Sequence, residues 1–270
     1  MVLTRIKNIG KRLIGVENPK KIFPLRSLTY LGSTYQGYWI PSDFFNKSSI
    51  CYCVGAGEDI SFDTELKKIF DCRVFIFDPT PASKTHFDDL LRISRKNEPM
   101  PSIRLDNSFT YDISYEKLKQ IQFIERGVWS HKDVLKFFDA NQENYVSHSA
   151  VLFKDSAHTI ELPVDSVKNF MREFGHQSID LLKLEIEGAE YTVIDSIIRD
   201  KADVKIIAVE FDEVFHKRGI AHLLRIANYR KKLEQAGYVL VHSTKHYKST
   251  FIRKDVYVAL KNKENLELLN

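Results

Sequence analysis

The sequence of 270 residues has few cysteines, and their arrangement excludes several kinds of protein. Only Cys51, Cys53 and Cys72 occur, without the CxxC spacing of a zinc site, so we predict no metal centre. A disulfide framework would need more cysteines, and low cysteine usage is typical of a reducing compartment. We therefore expect a cytoplasmic protein that is held together by an apolar core.

Long apolar runs and a strong excess of one charge are also missing. No segment reaches the length of a transmembrane helix, and the N-terminus lacks the apolar stretch of a secretory signal. Forty Lys and Arg against 36 Asp and Glu give a net charge of only +4, which does not predict nucleic-acid binding. With 43% hydrophobic and 28% charged residues, the composition is that of a folded globular protein.

The N-terminal residues combine basic and apolar positions. Residues 1–30 are predicted to form a basic extension, helical in part, although Gly10 weakens the helix. Within residues 1–16, apolar side chains recur near helical spacing beside a basic face, which favours peripheral contact with the inner face of a membrane. The alternative is a short helix that caps the domain or forms a homo-oligomer interface. The apolar positions are Val2, Ile6, Ile9, Leu13 and Val16.

From residue 50 onward, short apolar runs alternate with amphipathic stretches, the pattern of βαβ units around a parallel sheet. Strands are predicted at residues 50–55, 72–78, 122–128, 180–187 and 204–211. Helices are predicted at residues 59–70, 81–95, 190–199 and 220–235. Two last strands, 238–242 and 256–260, should pair in antiparallel fashion across a basic loop. An antiparallel insertion at about 129–160, with the runs VLKFF and SAVLF, is a candidate substrate lid.

A glycine turn follows the first predicted strand. Gly55 and Gly57 allow a sharp turn and a close approach of a ligand to the backbone. Ile60 occupies the third glycine position of the dinucleotide fingerprint, and the acids Glu58 and Asp59 oppose a pyrophosphate. A cationic ligand without phosphate, such as S-adenosylmethionine, suits this turn better. The alternative is a tight turn that binds nothing.

An acidic residue ends the second predicted strand. Asp78 lies 21 residues after Gly57, where a carboxylate can accept both hydrogen bonds of a ribose diol. An Asp that precedes a proline, here Pro79, also commonly caps a turn or a helix, which is the alternative.

Charged residues alternate along the predicted strand 180–187. Lys183, Glu185 and Glu187 would share one face, whereas a central parallel strand is normally apolar on both faces. Unpaired buried charges are costly, so this face either opens onto a cleft or contains an internal ion pair between Lys183 and Glu185. Ligand clefts of open α/β sheets lie at the carboxyl ends of the strands.

The next predicted strand ends in a similar way. Glu210 and Asp212 share one side of it, and His216 follows shortly after. These side chains could supply a general base or orient a hydroxyl nucleophile. Alternatively, the acids are solvated and His216 is a surface histidine.

Three blocks of sequence form a larger pattern. They are VGAGEDISFDTEL (residues 54–66), FDPTP (77–81) and IDLLKLEIEGAEYTVI (179–194), with a weaker echo in GYWIP (37–41). Together they resemble the FkbM-type family of S-adenosylmethionine-dependent methyltransferases, whose block K-x-D-x-E-G-A-E is similar to the third. The resemblance covers a domain at residues 31–262. It implies an α/β fold with a Rossmann-like sheet of seven strands, mostly parallel with an antiparallel C-terminal strand, and helices on both faces.

Carried over by position, the resemblance implies which residues bind the cofactor S-adenosylmethionine. The glycine turn would line its methionine end, Asp78 would hold the ribose, and Glu185 and Glu187 would face the methyl group. The family usually has Asp where this chain has Glu185, which moves the carboxylate by about 1.5 Å, one carbon–carbon bond. The identity of the base therefore stays open. The cofactor set is Gly55, Ala56, Gly57, Glu58, Asp59, Asp78 and Pro79.

The activity that the resemblance implies is O-methylation of a hydroxyl on a sugar, glycan or polysaccharide, including acidic sugars. Glu185 or Glu187 would accept the hydroxyl proton, with Glu210 or His216 as second choices. Two alternatives remain open. One is a small-molecule, polyketide-like O-methyltransferase, and the other is a non-catalytic binding module with a methyltransferase fold.

The acceptor site is predicted in a late basic segment. Residues 245–254 mix cations with aromatic side chains, which suits an acidic sugar through charge and ring stacking. Lys245, Tyr247 and Arg253 are the predicted acceptor-binding residues. A solvated charged loop is the alternative.

Overall fold

The computed structural model describes residues 22–96, 98, 100–101, 109–138, 159–211, 220–244 and 248–268. Most of the predicted basic extension, including the membrane-contact segment 1–16, lies outside these residues. No helix within them is long and apolar enough to cross a bilayer.

The described residues form strands and helices in alternation over most of the chain. The strands are β1 (Leu28–Leu31), β2 (Tyr38–Pro41), β3 (Ile50–Val54), β4 (Arg73–Phe77), β5 (Met100–Pro101), β6 (Thr110–Tyr111), β7 (Gln122–Ile124), β8 (Gly127–Trp129), β9 (Asp133–Phe138), β10 (Thr159–Ser166), β11 (Ile179–Leu184), β12 (Val204–Glu210), β13 (Tyr238–Ser243) and β14 (Lys248–Arg253). The helices are α1 (Ser61–Phe70), α2 (Pro81–Ser94), α3 (Tyr115–Leu118), α4 (Val167–Glu173), α5 (Glu190–Arg199), α6 (Ile220–Gln235) and α7 (Lys254–Leu266).

A seven-stranded sheet forms the centre of the molecule. Its strand order is β13-β14-β12-β11-β3-β4-β7. Strands β12, β11, β3, β4 and β7 are parallel to one another, and β14 runs antiparallel to both β12 and β13. This arrangement confirms the predicted Rossmann-like fold, with an antiparallel strand near the C-terminus.

Both faces of the sheet are covered by apolar side chains from helices. Cys51 and Cys53 of β3 pack in one cluster, together with residues of α1, α2 and α7. Tyr52 and Val54, which point the other way, pack in a second cluster with residues of α4, α5 and α6. Alternate residues of a strand face opposite sides, so burial of the whole β3 segment requires helices on both faces.

The predicted strand at 256–260 is wrong, because these residues belong to helix α7. Val256, Leu260 and Glu264 recur every four residues and are buried, whereas Val258 is 54% exposed. That spacing places the buried side chains on one face of a helix. The partner of β13 is instead β14, which takes up the described part of the predicted basic loop.

Two other predicted strands end earlier than expected. The run 122–128 divides into β7, which joins the central sheet, and β8, which leaves it. The run 180–187 ends at Leu184, so Glu185 and Glu187 lie in the turn after β11 rather than on the strand. Strand periodicity therefore does not determine where these two carboxylates point.

A small second sheet lies beside the central one. It has the order β8-β10-β9, with β9 antiparallel to β10. The run VLKFF falls in β9, and the run SAVLF (149–153) lies outside the described residues. The antiparallel segment of the insertion therefore begins at the position expected for the candidate lid.

A hairpin of β1 and β2 packs against the C-terminal part of the sheet. The Thr250 hydroxyl donates a hydrogen bond of 2.7 Å to the Trp39 carbonyl, which joins β14 to β2. The turn between β1 and β2, residues 32–37, is thereby brought to the end of the sheet where β12 and β11 finish.

Candidate functional site

The carboxyl ends of β3, β4 and β11 open into a cleft with about 830 Å³ of free space. The second wall comes from the small sheet, with Val128, Trp129, Leu135 and Phe137. Most of the predicted site residues come together here. The predicted residues that line the cleft are Gly55, Ala56, Gly57, Glu58, Asp78, Pro79, Glu185 and Glu187.

Gly55 allows β3 and β11 to meet at the floor of the cleft. Its φ of +84° is a conformation that favours glycine, and a Cβ built on it would lie 1.8 Å from the Glu185 carbonyl oxygen. The Gly55 carbonyl accepts a hydrogen bond of 3.1 Å from the Lys183 ammonium. The first glycine of the turn is therefore required for packing as well as for an approach by a ligand.

Asp78 holds the glycine turn in place. Its Oδ2 accepts hydrogen bonds from the backbone N–H groups of Ala56 (2.9 Å) and Gly57 (3.1 Å). Its Oδ1 accepts from the Thr80 N–H (2.9 Å) and the Thr80 hydroxyl (2.6 Å). A carboxylate has about four acceptor positions, so a ribose diol could bind Asp78 only by displacing some of these donors. The sequence allowed two interpretations of Asp78, a carboxylate that binds a ribose diol and a residue that caps a turn. The hydrogen bonds in the structure are those of a cap.

We expect Asp78→Asn to lower the free energy of unfolding by about 1–3 kcal/mol, because an amide NH2 would face backbone or hydroxyl donors that need an acceptor. Asp88→Asn, on an exposed part of α2, is the matched control and should cost less than about 0.5 kcal/mol. Urea denaturation of both variants measures the difference. Equal losses would contradict the role of Asp78 in the turn.

Glu185 belongs to a chain of buried charges. The ammonium of Lys248 lies 3.4 Å from Glu185 Oε1 and 3.2 Å from Glu210 Oε2. On the other side, the Lys183 ammonium lies 3.9 Å from Glu185 Oε2 and 3.5 Å from Asp63 Oδ2. Three carboxylates against two ammonium groups leave one excess negative charge beside the cleft.

The ionisation of these groups follows from their neighbours. Burial opposes the charge of Glu185, but Lys248 and Lys183 outweigh it and lower its pKa. Burial likewise disfavours the Lys183 ammonium, and the charges of Asp63 and Glu185 raise its pKa nonetheless. The Tyr38 hydroxyl donates a hydrogen bond of 3.2 Å to Glu185 Oε2. Burial and the Glu185 charge together raise the pKa of Tyr38. Glu185 is therefore a fixed anion and a weak base at neutral pH.

The lowered pKa of Glu185 predicts how stability varies with pH. The carboxylate stabilises the fold above its ordinary pKa of 4.5, and this contribution is lost as the pH falls through the lower folded pKa. We expect wild type to be more stable than Glu185→Gln at pH 7, with a gap that narrows below about pH 4.5. Urea denaturation between pH 7 and 3 tests this, with the exposed Glu234→Gln as a control that shows no gap. A gap that stays constant down to pH 3 would contradict it.

Glu187 reaches the cleft through an unusual backbone conformation. Its φ of +55° is rarely adopted by residues other than glycine and costs of the order of 1 kcal/mol. The turn around it is held by Glu190, whose carboxylate accepts from the N–H groups of Ile186 (2.8 Å) and Gly188 (2.9 Å). A strained residue that lines a cleft indicates a functional position.

The structure does not bring all predicted residues to the cleft. Asp59 is 3% exposed and binds the Ser33 hydroxyl (2.7 Å) and the Ser61 N–H (2.9 Å), so its carboxylate is used within the fold. Glu210 is not among the residues that line the cleft, and its carboxylate pairs with Lys248 at 3.2 Å. His216 and its neighbour Asp212 lie outside the described residues.

None of the three predicted acceptor-binding residues is found among the described residues that line the cleft. Lys245 and Tyr247 lie outside the described residues. Arg253 pairs with Asp203 and Asp255 at the opposite end of β14, roughly 16 Å along the strand from Lys248. Arg253 is therefore not among the residues that line the cleft, because β14 is a strand that holds it at the other end, and its role in acceptor binding stays a prediction.

Three residues of the site were not predicted. Gln36 lines the cleft, Tyr38 binds Glu185, and Lys248 lies between Glu185 and Glu210. The motif GYWIP contains Tyr38 and was the one available signal for the hairpin. Lys248 belongs to the basic segment 245–254, but its pairing with Glu210 and Glu185 was not predicted, since these partners are 38 and 63 residues away in sequence. Among the described residues, no three His, Cys, Asp or Glu side chains are grouped as a metal site.

Part of the chain is similar in sequence to a known protein. The human protein described as probable methyltransferase-like protein 24 is 30% identical over 100 residues, which is 34% of this chain and 27% of that protein. The chain therefore spans about a quarter of that relative.

Two solved structures match this chain at low identity and low TM-score. One is the crystal structure of methyltransferase FkbM from Methylobacillus flagellatus KT, with 15% identity, a TM-score of 0.43, and coverage of 77% of this chain and 44% of that one. Another is the Methanococcus jannaschii fibrillarin pre-rRNA processing protein, with 12% identity, a TM-score of 0.39, and coverage of 88% and 86%.

The family match is more extensive. The Methyltransferase FkbM domain matches residues 54–240, which include all three sequence blocks that carried the resemblance. Because this match covers more than half of the chain, the protein belongs to the FkbM methyltransferase family.

Proposed function

We propose that this protein is an S-adenosylmethionine-dependent O-methyltransferase that acts on a hydroxyl of a sugar, glycan or polysaccharide, acidic sugars included. The observation that carries the proposal is the acidic cleft itself. In a chain of a methyltransferase family, Glu58, Asp78, Glu185 and Glu187 line one cleft at the carboxyl ends of the parallel strands. That is the position where open α/β sheets bind their ligands.

The residues present fit a cationic methyl donor. The negative charges of Glu185, Glu210 and Asp63 outnumber the ammonium groups of Lys183 and Lys248 among the described residues, which favours a ligand with sulfonium and ammonium groups. The apolar wall of Phe77, Val128 and Trp129 suits a purine ring. No atom lies within 4 Å of the position that a Gly57 Cβ would take, so the turn leaves open space there.

S-adenosylmethionine would supply an activated methyl group. This chain would hold the methyl donor and the acceptor hydroxyl in place and would supply a proton acceptor. Glu187 is the residue proposed to take the hydroxyl proton, because it lines the cleft at the turn after β11. Glu185 serves better as a fixed negative charge, since its lowered pKa makes it a poor proton acceptor. Glu210 is held in an ion pair with Lys248 and is not among the residues that line the cleft.

The acceptor class is supported by the family resemblance and by the shape of the site. The small sheet leaves the cleft bordered by Trp129, Leu135 and Phe137, and aromatic side chains are suited to sugar rings. The hydroxyl would have to reach the Glu187 turn from that side.

Two experiments test the proposal in order. Calorimetric titration with S-adenosylhomocysteine, the demethylated product, should show one binding site per chain. Incubation with S-adenosylmethionine and candidate glycans should then increase the mass of the glycan by the difference between a methyl group and the hydrogen atom that it replaces. Absence of binding would contradict the cofactor assignment and favour a non-catalytic module. Binding with methylation only of small-molecule hydroxyls would contradict the acceptor class.

A further inference from the structure

Gln36 lies at the wall of the cleft and carries a buried, unpaired polar atom. The residue is only 8% exposed and lines the cleft, and its Oε1 has no hydrogen-bond partner within the described part of the chain. A buried carbonyl without a donor is costly, and most buried polar groups in native proteins are paired. Because this residue lines the cleft, a bound ligand is a candidate source of the missing donor.

The backbone around Gln36 is held firmly, so its side chain has a defined direction. The Ser33 hydroxyl accepts hydrogen bonds from the N–H groups of Tyr35 (3.2 Å) and Gln36 (3.0 Å) and donates one of 2.7 Å to Asp59. The Ser33 N–H donates to the Ser61 hydroxyl at 2.7 Å. These bonds attach the turn to the start of α1, directly after the glycine turn.

The position of Gln36 tells which end of a methyl donor it would meet. Two residues further on, Tyr38 binds Glu185, and the preceding Tyr35 carbonyl accepts from the Lys248 ammonium, so Gln36 lies at the charged end of the cleft. The apolar residues Phe77 and Val128 line the part of the cleft formed by β4 and β8. A ligand with a purine at one end and a charged amino-acid group at the other is oriented by this division.

We propose that the side-chain carbonyl of Gln36 accepts a hydrogen bond from the α-ammonium group of the methyl donor. This assignment rests on the proposed function. It makes Gln36 a binding residue that distinguishes donors with an amino-acid end from nucleosides that lack one.

The test compares two ligands that differ in that end. S-adenosylhomocysteine carries the ammonium group, whereas 5′-methylthioadenosine has the same nucleoside and a thioether without the amino acid. In calorimetric titrations, Gln36→Met should bind S-adenosylhomocysteine at least about tenfold more weakly than wild type, because a hydrogen bond to a charged group is lost. Its affinity for methylthioadenosine should be unchanged.

Two further readouts separate ligand binding from a structural role. Without ligand, Gln36→Met should be at least as stable to urea as wild type, because it removes an unpaired buried acceptor. Gln36→Glu keeps an acceptor oxygen and adds a negative charge, so it should retain the affinity for S-adenosylhomocysteine.

Several outcomes would overturn the assignment. Equal losses for both ligands, or a less stable Gln36→Met, would indicate a structural role. Unchanged affinity of Gln36→Met for S-adenosylhomocysteine would show that Gln36 does not contact the ammonium group. Weaker binding by Gln36→Glu would indicate that residue 36 lies beside the carboxylate of the ligand and not beside its ammonium group. Wild-type protein that binds neither compound would overturn the proposed function, and the assignment with it.

Discussion

Glu187→Gln is expected to lower turnover by about 10²–10⁴-fold, the usual contribution of a general base, while S-adenosylhomocysteine binding stays nearly intact. The amide keeps the size of the side chain and cannot accept the hydroxyl proton. Gln also imposes no new demand on the backbone, because the φ of +55° is equally unfavourable for Glu and Gln. The loss should therefore be in kcat, and the free energy of unfolding should change little.

Three measurements make this result specific. Single-turnover rates with a methylated glycan as product give the loss in the chemical step, and calorimetry gives the affinity for S-adenosylhomocysteine. The control Glu234→Gln, the same change on the exposed side of α6, should retain wild-type turnover. Undiminished activity of Glu187→Gln would remove Glu187 as the base.

Gly55→Ala is expected to have the largest effect on stability, a loss of more than about 4 kcal/mol in the free energy of unfolding. The new Cβ would lie 1.8 Å from the Glu185 carbonyl oxygen, a backbone atom of the adjacent segment that cannot turn away as a side chain would. Relief would require β3 and β11 to separate at the centre of the sheet. The φ of +84° adds a cost of its own.

Two glycines with similar backbone conformations serve as controls. Gly175 (φ +70°) lies outside the cleft and has no atom within 4 Å of an added Cβ, so Gly175→Ala should cost only about 1–2 kcal/mol. Gly57→Ala (φ +51°) should also fold, and it should bind S-adenosylhomocysteine more weakly because the methyl group occupies the cleft. Urea denaturation of the three variants gives the comparison. If Gly55→Ala lost no more stability than Gly175→Ala, the close packing of the turn would be contradicted.

Local patterns in the sequence carried most of the fold. The alternation of apolar runs with amphipathic stretches predicted β3, β4, β11 and β12, because buried parallel strands and covering helices have different periods. The family blocks then implied the sheet of seven strands. The strand predicted at 256–260 failed because five apolar or small residues in a row satisfy both periods, and only packing against the sheet selects the helix.

The site was predictable as far as its residues come from contiguous motifs. The glycine turn and the carboxylates of residues 185 and 187 share one cleft because strand ends of a parallel sheet meet at one edge. Their roles were less predictable. Asp78 caps the turn with both oxygens, which depends on the path of the backbone after β4.

The sequence by itself determined the family, the sheet and the acidic character of the cleft, since these depend on residue type and spacing along the chain. Only the tertiary structure decided which charges neutralise one another. Lys248 reaches Glu185 and Glu210 because β14 lies antiparallel beside β12, and Gln36 enters the cleft because the hairpin turn is bonded to Asp59 through Ser33. Contacts of this kind join segments far apart in sequence, and a one-dimensional pattern does not record them.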